Sequence, residues 1–358
     1  MYESCDTLRI KEKAGIVSAA LELQYRKAHK TVIPLRGLQG VSVFMIVTKE
    51  IEEKIGAICN LYEKVNNTQK VKDIILLDAY HSATIEGART TVESVKRTYN
   101  KPVTKDDKMV VNTIHGMNYA YGNEICMDNI RTLWEIVTRD VCENIHLAGT
   151  KFRSGMVYVG NETDIIHTPA KAEEIEVMMQ DLFLFLENSE FDVWIRAAVL
   201  HFYFVYIHPF CDGNGRTARI MTQSFLLHHG IEKIKYLPLS RAINNSLSGY
   251  YAALKESERV YTNGSKWIDI TPFIDYMLDT IGTCMVTAVR EDNELSENRK
   301  TLLEKIQKRG KGTEISIATA AKILKMSEQT AGKHLNALVR MGYLKKERRG
   351  HKNIYILI

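Results

Sequence analysis

At 358 residues, with 45% hydrophobic and 25% charged side chains, the chain is too long for one small core, and its composition excludes a fibrous or largely disordered protein. Its six cysteines, at 5, 59, 126, 142, 211 and 284, form no CxxC pair, which argues against a disulfide framework or a structural zinc site and for reduced thiols in a cytoplasm. The net charge is only +5, yet residues 299–358 hold 15 Lys plus Arg against 4 Asp plus Glu; that local +11 leaves −6 on the remainder and marks a separate C-terminal module suited to a polyanionic partner.

In chain order, Met1 to Lys13 mix acids and bases without an apolar run, so no secretory leader is expected. Residues 1–47 have no clear period, and Pro34, Gly37 and Gly40 predict turn or loop. From Thr48 the apolar positions Ile51, Ile55, Ile58 and Leu61 fall at helical spacing, and Val71, Ile74, Ile75 and Leu77 repeat it, predicting two helices. Thr104 with Asp107 resembles a capping box opening a third helix, and Ile130, Leu133, Trp134, Val137 and Val141 outline a fourth. Met156 to Val159 and Ile165 to His167 read as two short strands about a turn at Gly160-Asn161, the one hairpin expected before the C terminus. Pro169 suits the first turn of a helix through Val177, Leu182 and Leu186, and helical reading continues to Val289 with Thr271-Pro272 as another start signal. Arg290 to Asn298 is polar and lacks an apolar face, which makes it the linker candidate.

Val193 to Ile207 is apolar nearly all round, but Arg196 and His201 interrupt it and it falls short of the roughly 20 residues of a membrane span, so an interior helix is expected and no membrane contact. It delivers His208-Pro209 at its end, and the proline disfavours helical backbone at His208, placing the imidazole on a rigid mount as a general base requires. Asp212-Gly213-Asn214-Gly215-Arg216 follows, with an amphipathic pattern starting near Thr217. Glycines there let successive amides point into one concavity at a helix N-terminus, a nest for phosphates. Asp212 offers a hard oxygen for a divalent cation, and Arg216 and Arg219 offer guanidinium groups. A helix-capping histidine and a simple Gly-Asn-Gly turn would explain any one of these residues alone; the whole set points to polyphosphate chemistry.

The string His208-Pro209-Phe210-Cys211-Asp212-Gly213-Asn214-Gly215-Arg216-Thr217-Ala218-Arg219 resembles the Fic family signature HPFx(D/E)GNGRxxR at every defined position. The likeness runs roughly from residue 50 to 285 and includes Gly149-Thr150-Lys151-Phe152-Arg153 and the hairpin, which looks like the Fic flap. It implies a mainly α fold, a Fic-type helical core with a β-hairpin flap, and transfer of AMP from ATP onto a hydroxyl of a target protein, with a homodimer also compatible. On that likeness His208 deprotonates the hydroxyl, Asp212 holds Mg²⁺ (Mn²⁺ can stand in), and Gly213, Asn214 and Gly215 cradle the phosphates with Arg216, Thr217 and Arg219. Val157, Tyr158, Val159, Gly160, Tyr250 and Tyr251 would line the adenosine side. An extended target segment would pair with the flap backbone.

Ser82-Ala83-Thr84-Ile85-Glu86-Gly87 resembles the Fic inhibitory motif (S/T)xxxE(G/N), in the class whose inhibitory helix precedes the core. The likeness implies that Glu86 pairs with Arg219 and occupies a group needed for the γ-phosphate; in some relatives the same Glu helps remove AMP. Near the C terminus, Ile317 to Leu324 and Glu328 to Met341 read as two helices about a turn at Lys325-Met326-Ser327, followed by a basic turn and a strand from Asn353. That order resembles a winged helix-turn-helix. Gln329, Thr330, Lys333, His334 and Asn336 would face outward on the second helix, and Arg348, Arg349, His351 and Lys352 would sit on the wing, to meet DNA or a protein surface. The chain thus divides into an N-terminal helical region with the inhibitory helix (1–110), a Fic catalytic core (111–290), a linker (291–298) and a small α+β winged helix domain (299–358). A DNA-binding regulator whose core only senses nucleotide is the competing reading.

Overall fold

The computed structural model describes residues 30–65, 71–160, 165–263, 265–340, 342–350 and 352–358; the N-terminal stretch before Lys30, Asn161 of the expected hairpin turn, Met341 and His351 lie outside them. The chain divides into two compact units, with the boundary between Met285 and Val286. Among the described residues no helix is long and apolar enough to cross a membrane.

The first unit is mainly helical. Strands β1 (Lys30–Arg36) and β2 (Ser42–Ile46) lead into α1 (Lys49–Lys64), α2 (Val71–Ile85), α3 (Val92–Thr98), α4 (Lys105–Gly122) and α5 (Ile130–Thr138). The caps fall where hydroxyls were expected to make them: Thr48 accepts from the Ile51 amide and Thr104 from the Asp107 amide. The flap strands β3 (Val159–Gly160) and β4 (Ile165–His167) pair antiparallel, and α6 (Ala172–Asn188), α7 (Val193–Ile207), α8 (Asn214–His228), α9 (Leu239–Asn245) and α10 (Leu247–Ser257) follow. Helix α7 is the interior helix expected: Asp192 caps its start through the Trp194 amide, and nearly all its residues are buried. Strands β5 (Val260–Asn263) and β6 (Ser265–Asp269) follow, and then helix α11 (Thr271–Gln307), of which only the part up to Met285 belongs to this unit.

Several expectations are corrected. Pro34 lies in β1 rather than in a turn; β1 is an edge of the sheet β1-β2-β6-β5, with a register shift between Ile33 and Arg36, so the missing amide leaves no ladder bond unmade. The flap is not the one hairpin before the C terminus, because β1–β2 and β5–β6 are hairpins too, and the helical reading to Val289 is broken by the second of them. The parallel pairing of β2 with β6 joins the two, and Phe44, Tyr261 and Trp267 form its small aromatic core. Helix α3, capped by Thr91 through the Ser94 amide, was not anticipated. In the flap, Met156 to Tyr158 are outside any strand, and Pro169 precedes α6, whose cap is Lys171. Helix α8 starts at Asn214, one residue after the left-handed Gly213 (φ 72°), and not near Thr217. The linker candidate, Arg290 to Asn298, lies within the continuous α11: it contains no Gly or Pro, and polarity without a backbone breaker does not end a helix.

In the second unit, β7 (Glu314–Ser316), α12 (Ile317–Leu324), α13 (Glu328–Arg340), β8 (Leu344–Arg349) and β9 (Lys352–Leu357) surround a core that includes Leu302, Ile306, Leu335, Leu338 and Tyr355. Its sheet order is β7-β9-β8, all antiparallel.

Candidate active site

Helix α7 ends on His208, which takes a left-handed conformation (φ 54°, ψ 61°) while its amide still donates to the Phe204 carbonyl at 3.0 Å. A non-glycine residue held there is strained, and the surroundings fix it. Arg153 Nε donates to the His208 carbonyl at 2.9 Å, the Arg153 amide to the Pro209 carbonyl at 3.0 Å, and its other guanidinium nitrogens to the carbonyls of Gly155 and Ala170. One buried arginine therefore ties the His208-Pro209 turn to both ends of the flap segment. Sequence reading noted Arg153 only as part of a likeness; its depth of burial carried no local signal.

The His208 imidazole is pushed down to about 4, first by burial and then by His167 and Arg153, against the opposing pull of the Val205 carbonyl and Glu86. It is thus neutral at pH 7, and with Nδ1 at 3.3 Å from the Val205 carbonyl, an acceptor, the proton belongs on Nδ1 and Nε2 is free to accept another.

The loop after His208 is stapled rather than mobile. Asn214 Oδ1 accepts from the Phe210 amide at 2.9 Å and its Nδ2 donates to the Phe210 carbonyl at 2.8 Å. Phe210 stacks on Trp134 at 4.9 Å, and Trp134 Nε1 donates to the Asp212 carbonyl at 2.8 Å. Asn214 and Thr217 are buried, with the Thr217 hydroxyl donating to Gly213, so these two expected ligands hold the nest from behind. Of the other residues expected at the nest, Gly215 is half-buried and Gly213, Arg216 and Arg219 are buried. A Cβ on Gly213 would meet Thr138 at 2.5 Å, and one on Gly215 would meet Glu86 Oε1 at 2.2 Å, so the Glu86 carboxylate lies directly over the first turn of α8. Arg216 is buried, its Nη1 donating to the Val137 carbonyl at 2.9 Å, while its Nε is buried with no hydrogen-bond partner among the described residues. Burial pushes the Arg216 guanidinium down, with Glu86 and Asp212 opposing.

Asp212 keeps a partly exposed side chain (30%), with Oδ1 accepting from the Gly213 amide at 2.5 Å. Among the described residues no group of three or more His, Cys, Asp or Glu could cage a metal.

Arg219 is 1% exposed, and its partners come from the segment resembling the inhibitory motif: Nε donates to the Ser82 hydroxyl at 2.9 Å, and Nη2 to the Ser82 carbonyl at 3.0 Å and to Glu86 Oε1 at 2.7 Å. Burial alone would push the Glu86 carboxyl up; Arg219, Arg216 and His208 outweigh it and hold it below its usual range. The Glu86–Arg219 pairing is the geometry expected. The part of Ser82 was not foreseen, although it opens the motif.

Of the residues expected to line an adenosine pocket, Val157 is buried, while Tyr158 (60%) and Gly160 are exposed and Val159 is half-buried. Tyr251 is exposed, but Tyr250 is interior, its hydroxyl at 3.0 Å from His201 Nε2, so only one of the expected pair faces outward. His167 closes the flap onto the core: Nδ1 lies 2.8 Å from Glu258 Oε2 and Nε2 2.8 Å from the Tyr206 carbonyl, two residues before His208. In the second unit Gln329, Lys333, Arg348 and Lys352 are exposed. His334 is buried at 1% and faces the core rather than solvent, because its helix face also carries Leu335 and Leu338 inward. Arg349 is engaged by Glu314 and Glu347, Thr330 is half-buried with its hydroxyl at 2.9 Å from Ser327, and Asn336 accepts from the Tyr355 hydroxyl at 3.0 Å.

Residues 125–226 match the Fic/DOC family. The chain is 28% identical over 247 residues to Protein adenylyltransferase Fic of Drosophila virilis, covering 64% of this chain and 46% of the relative, and 27% identical over 249 residues to that of Drosophila melanogaster, again covering 64% and 46%. It thus spans about half the length of the curated relatives it matches. Among solved structures it resembles a Fic family protein from Desulfovibrio desulfuricans G20 (TM-score 0.60, 20% identity, 87% of this chain and 97% of that one) and Fic-1 from C. elegans (TM-score 0.50, 18% identity, 68% and 73%). At those identities the structures speak for the fold.

Proposed function

We propose that this chain, which carries a Fic/DOC domain, is an autoinhibited protein adenylyltransferase. The observation that carries the reading is the set of groups at the end of α7: a neutral histidine with a free Nε2, beside a glycine-opened helix N-terminus backed by two buried arginines. In the reaction, His208 Nε2 takes the proton of a Ser, Thr or Tyr hydroxyl, whose oxygen attacks the α-phosphorus of ATP. The P–O bond to the β-phosphate breaks, pyrophosphate leaves, and AMP remains on the target as a phosphodiester. The amides at Gly213 to Gly215, where α8 begins, and the Arg216 guanidinium, whose Nε has no acceptor among the described residues, suit the phosphate oxygens; such fixed donors stabilise charge without reorganising. Asp212 would hold Mg²⁺, or Mn²⁺, which neutralises polyphosphate charge.

Glu86 is the brake. It occupies Arg219 and overlies Gly215, so ATP meets a site whose γ-phosphate partner is taken. One charge-assisted contact is worth about 1.5–3 kcal/mol, enough for a tenfold to hundredfold effect. Glu86→Gly is therefore expected to raise self-labelling from α-³²P-ATP by at least about tenfold, and His208→Ala in that background to abolish it. Label that survives His208→Ala would remove the transfer reading, and equal label in wild type and Glu86→Gly would remove the brake. Removal of AMP from a modified target would use the same groups with water attacking the phosphorus, the target hydroxyl leaving and AMP released. The second unit, with exposed Lys333, Arg348 and Lys352 on a helix-turn-helix and hairpin, fits a winged helix that docks on DNA phosphates.

A further inference from the structure

Helix α2 and the turn that follows it carry three polar side chains at four-residue spacing, Asp78 and Ser82 on the helix and Glu86 just past its end. Ser82 and Glu86 hold Arg219. Asp78 lies outside the inhibitory motif, and the chemistry described above makes no use of it, yet it is 2% exposed and fully engaged. Its carboxylate accepts from Gln223 Nε2 at 2.6 Å, from the Ser240 amide at 2.5 Å and from the Ser240 hydroxyl at 3.0 Å. The orientation of Gln223 is not free: the Tyr121 hydroxyl on α4 donates to Gln223 Oε1 at 2.7 Å, which turns the amide nitrogen toward Asp78.

The register of these contacts is informative. Gln223 lies one turn after Arg219 on α8, and Asp78 lies one turn before Ser82 on α2. The two helices therefore run antiparallel with two polar rungs, Arg219 to Ser82 and Glu86, and Gln223 to Asp78. Ser240 adds a third element, α9. An apolar side chain at position 78 would bury the helix without fixing its rotation or its axial position. A carboxylate whose lone pairs are matched by donors from two other elements fixes both, because any slip leaves buried polar groups unpaired.

We infer that Asp78 is the seat of the inhibitory helix, a positioning residue that holds Ser82 and Glu86 against Arg219, so that the depth of autoinhibition is set at Asp78 as well as at Glu86. The inference rests on the adenylyl-transfer reading for its activity readout, and it extends that reading to a side chain that touches neither nucleotide nor Arg219 through a hydrogen bond.

The test is a double-mutant cycle on the full chain. Asp78→Asn keeps the shape but leaves one acceptor facing three donors. Its initial rate of self-labelling is expected to rise about tenfold over wild type, whereas in the Glu86→Gly background the same substitution should change the rate by less than about twofold. Tyr121→Phe, which frees the Gln223 amide while keeping the packing, should move the rate in the same direction by less, and it serves if Asp78→Asn folds poorly. A wild-type rate in both variants while Glu86→Gly is activated overturns the inference and leaves the functional reading intact. So does an equal effect of Asp78→Asn with and without Glu86, which would mean a general structural or catalytic role. If Glu86→Gly shows no transfer at all, the functional reading fails separately. Amide exchange then decides the positioning: faster exchange of residues 83–88 in Asp78→Asn supports the seat, and unchanged exchange there overturns it.

Discussion

At the level of single residues, the behaviour of His208 follows from where α7 ends. The proline at 209 predicts that the helix stops at His208, and it does; the left-handed backbone, the Arg153 clamp and the half-buried, desolvated ring were not legible, because they depend on residues distant in sequence. The consequence is a base whose folded value lies near 4, below the ordinary histidine value near 6.5. A histidine with its ordinary value would lose about tenfold of its neutral form between pH 7.5 and 5.5, whereas one near 4 keeps almost all of it. The self-labelling rate of the Glu86→Gly protein at saturating ATP should accordingly fall by less than about twofold over that interval, and a tenfold fall measured in a pH–rate profile would contradict the geometry. The same burial acts on stability with the opposite limb. His208, and His201 pushed down to about 3 first by burial and then by Arg219, bind protons more readily unfolded than folded. Their contribution is complete above about pH 6.5 and is lost as pH falls toward the folded values.

At the level of elements, what the sequence revealed and what it hid have separate physical causes. Helices α1, α2 and α5 were legible from the spacing of their apolar residues, α4 from its Thr104 cap, and α7 from a long apolar run that a proline ends. Strands β5 and β6 were missed although Asn263-Gly264 between β-branched and aromatic residues is a recognised hairpin signal; the strands are short and follow a long helical run. The pairing of β2 with β6 joins Phe44 to Asp269, and no local pattern can announce it. In the site, His208, Gly213, Gly215, Arg216, Arg219 and Glu86 gather as the motif implied, while Asn214 and Thr217 turned inward because a tight loop must satisfy its own backbone before it can hold a ligand. That view makes Asn214 a structural staple. Asn214→Ala leaves the Phe210 amide and carbonyl unpaired in a buried site, and should cost about 2–4 kcal/mol. Urea unfolding of the full chain measures it; a loss under about 0.5 kcal/mol would mean that Asn214 belongs to the ligand side after all.

At the level of the whole molecule, the two units carry opposite charge, and each makes sense only by its own account. On the proposed reading the acidic first unit would draw a polyanion into one small nest, with local donors rather than with net charge. In the second unit the excess of lysine and arginine is not uniformly available: Arg349 is held by Glu314 and Glu347, and Lys345 lies 2.8 Å from Glu347, whereas Lys333 on α13 and Arg348 and Lys352 on the β8–β9 hairpin remain exposed. Buried His334 drops out of the set first expected to meet DNA. If those three exposed cations contact phosphates, the binding constant of the full chain for duplex DNA should fall with salt at a log–log slope of about −2.7, since each neutralised phosphate contributes about −0.9. Replacing Lys333 and Arg348 by Glu should flatten the slope toward −1 or abolish binding, while leaving the self-labelling rate of the Glu86→Gly protein unchanged. Fluorescence anisotropy with a labelled duplex at several salt concentrations reads this directly. A slope near zero in the unsubstituted chain would exclude phosphate docking and turn the basic face toward a protein partner.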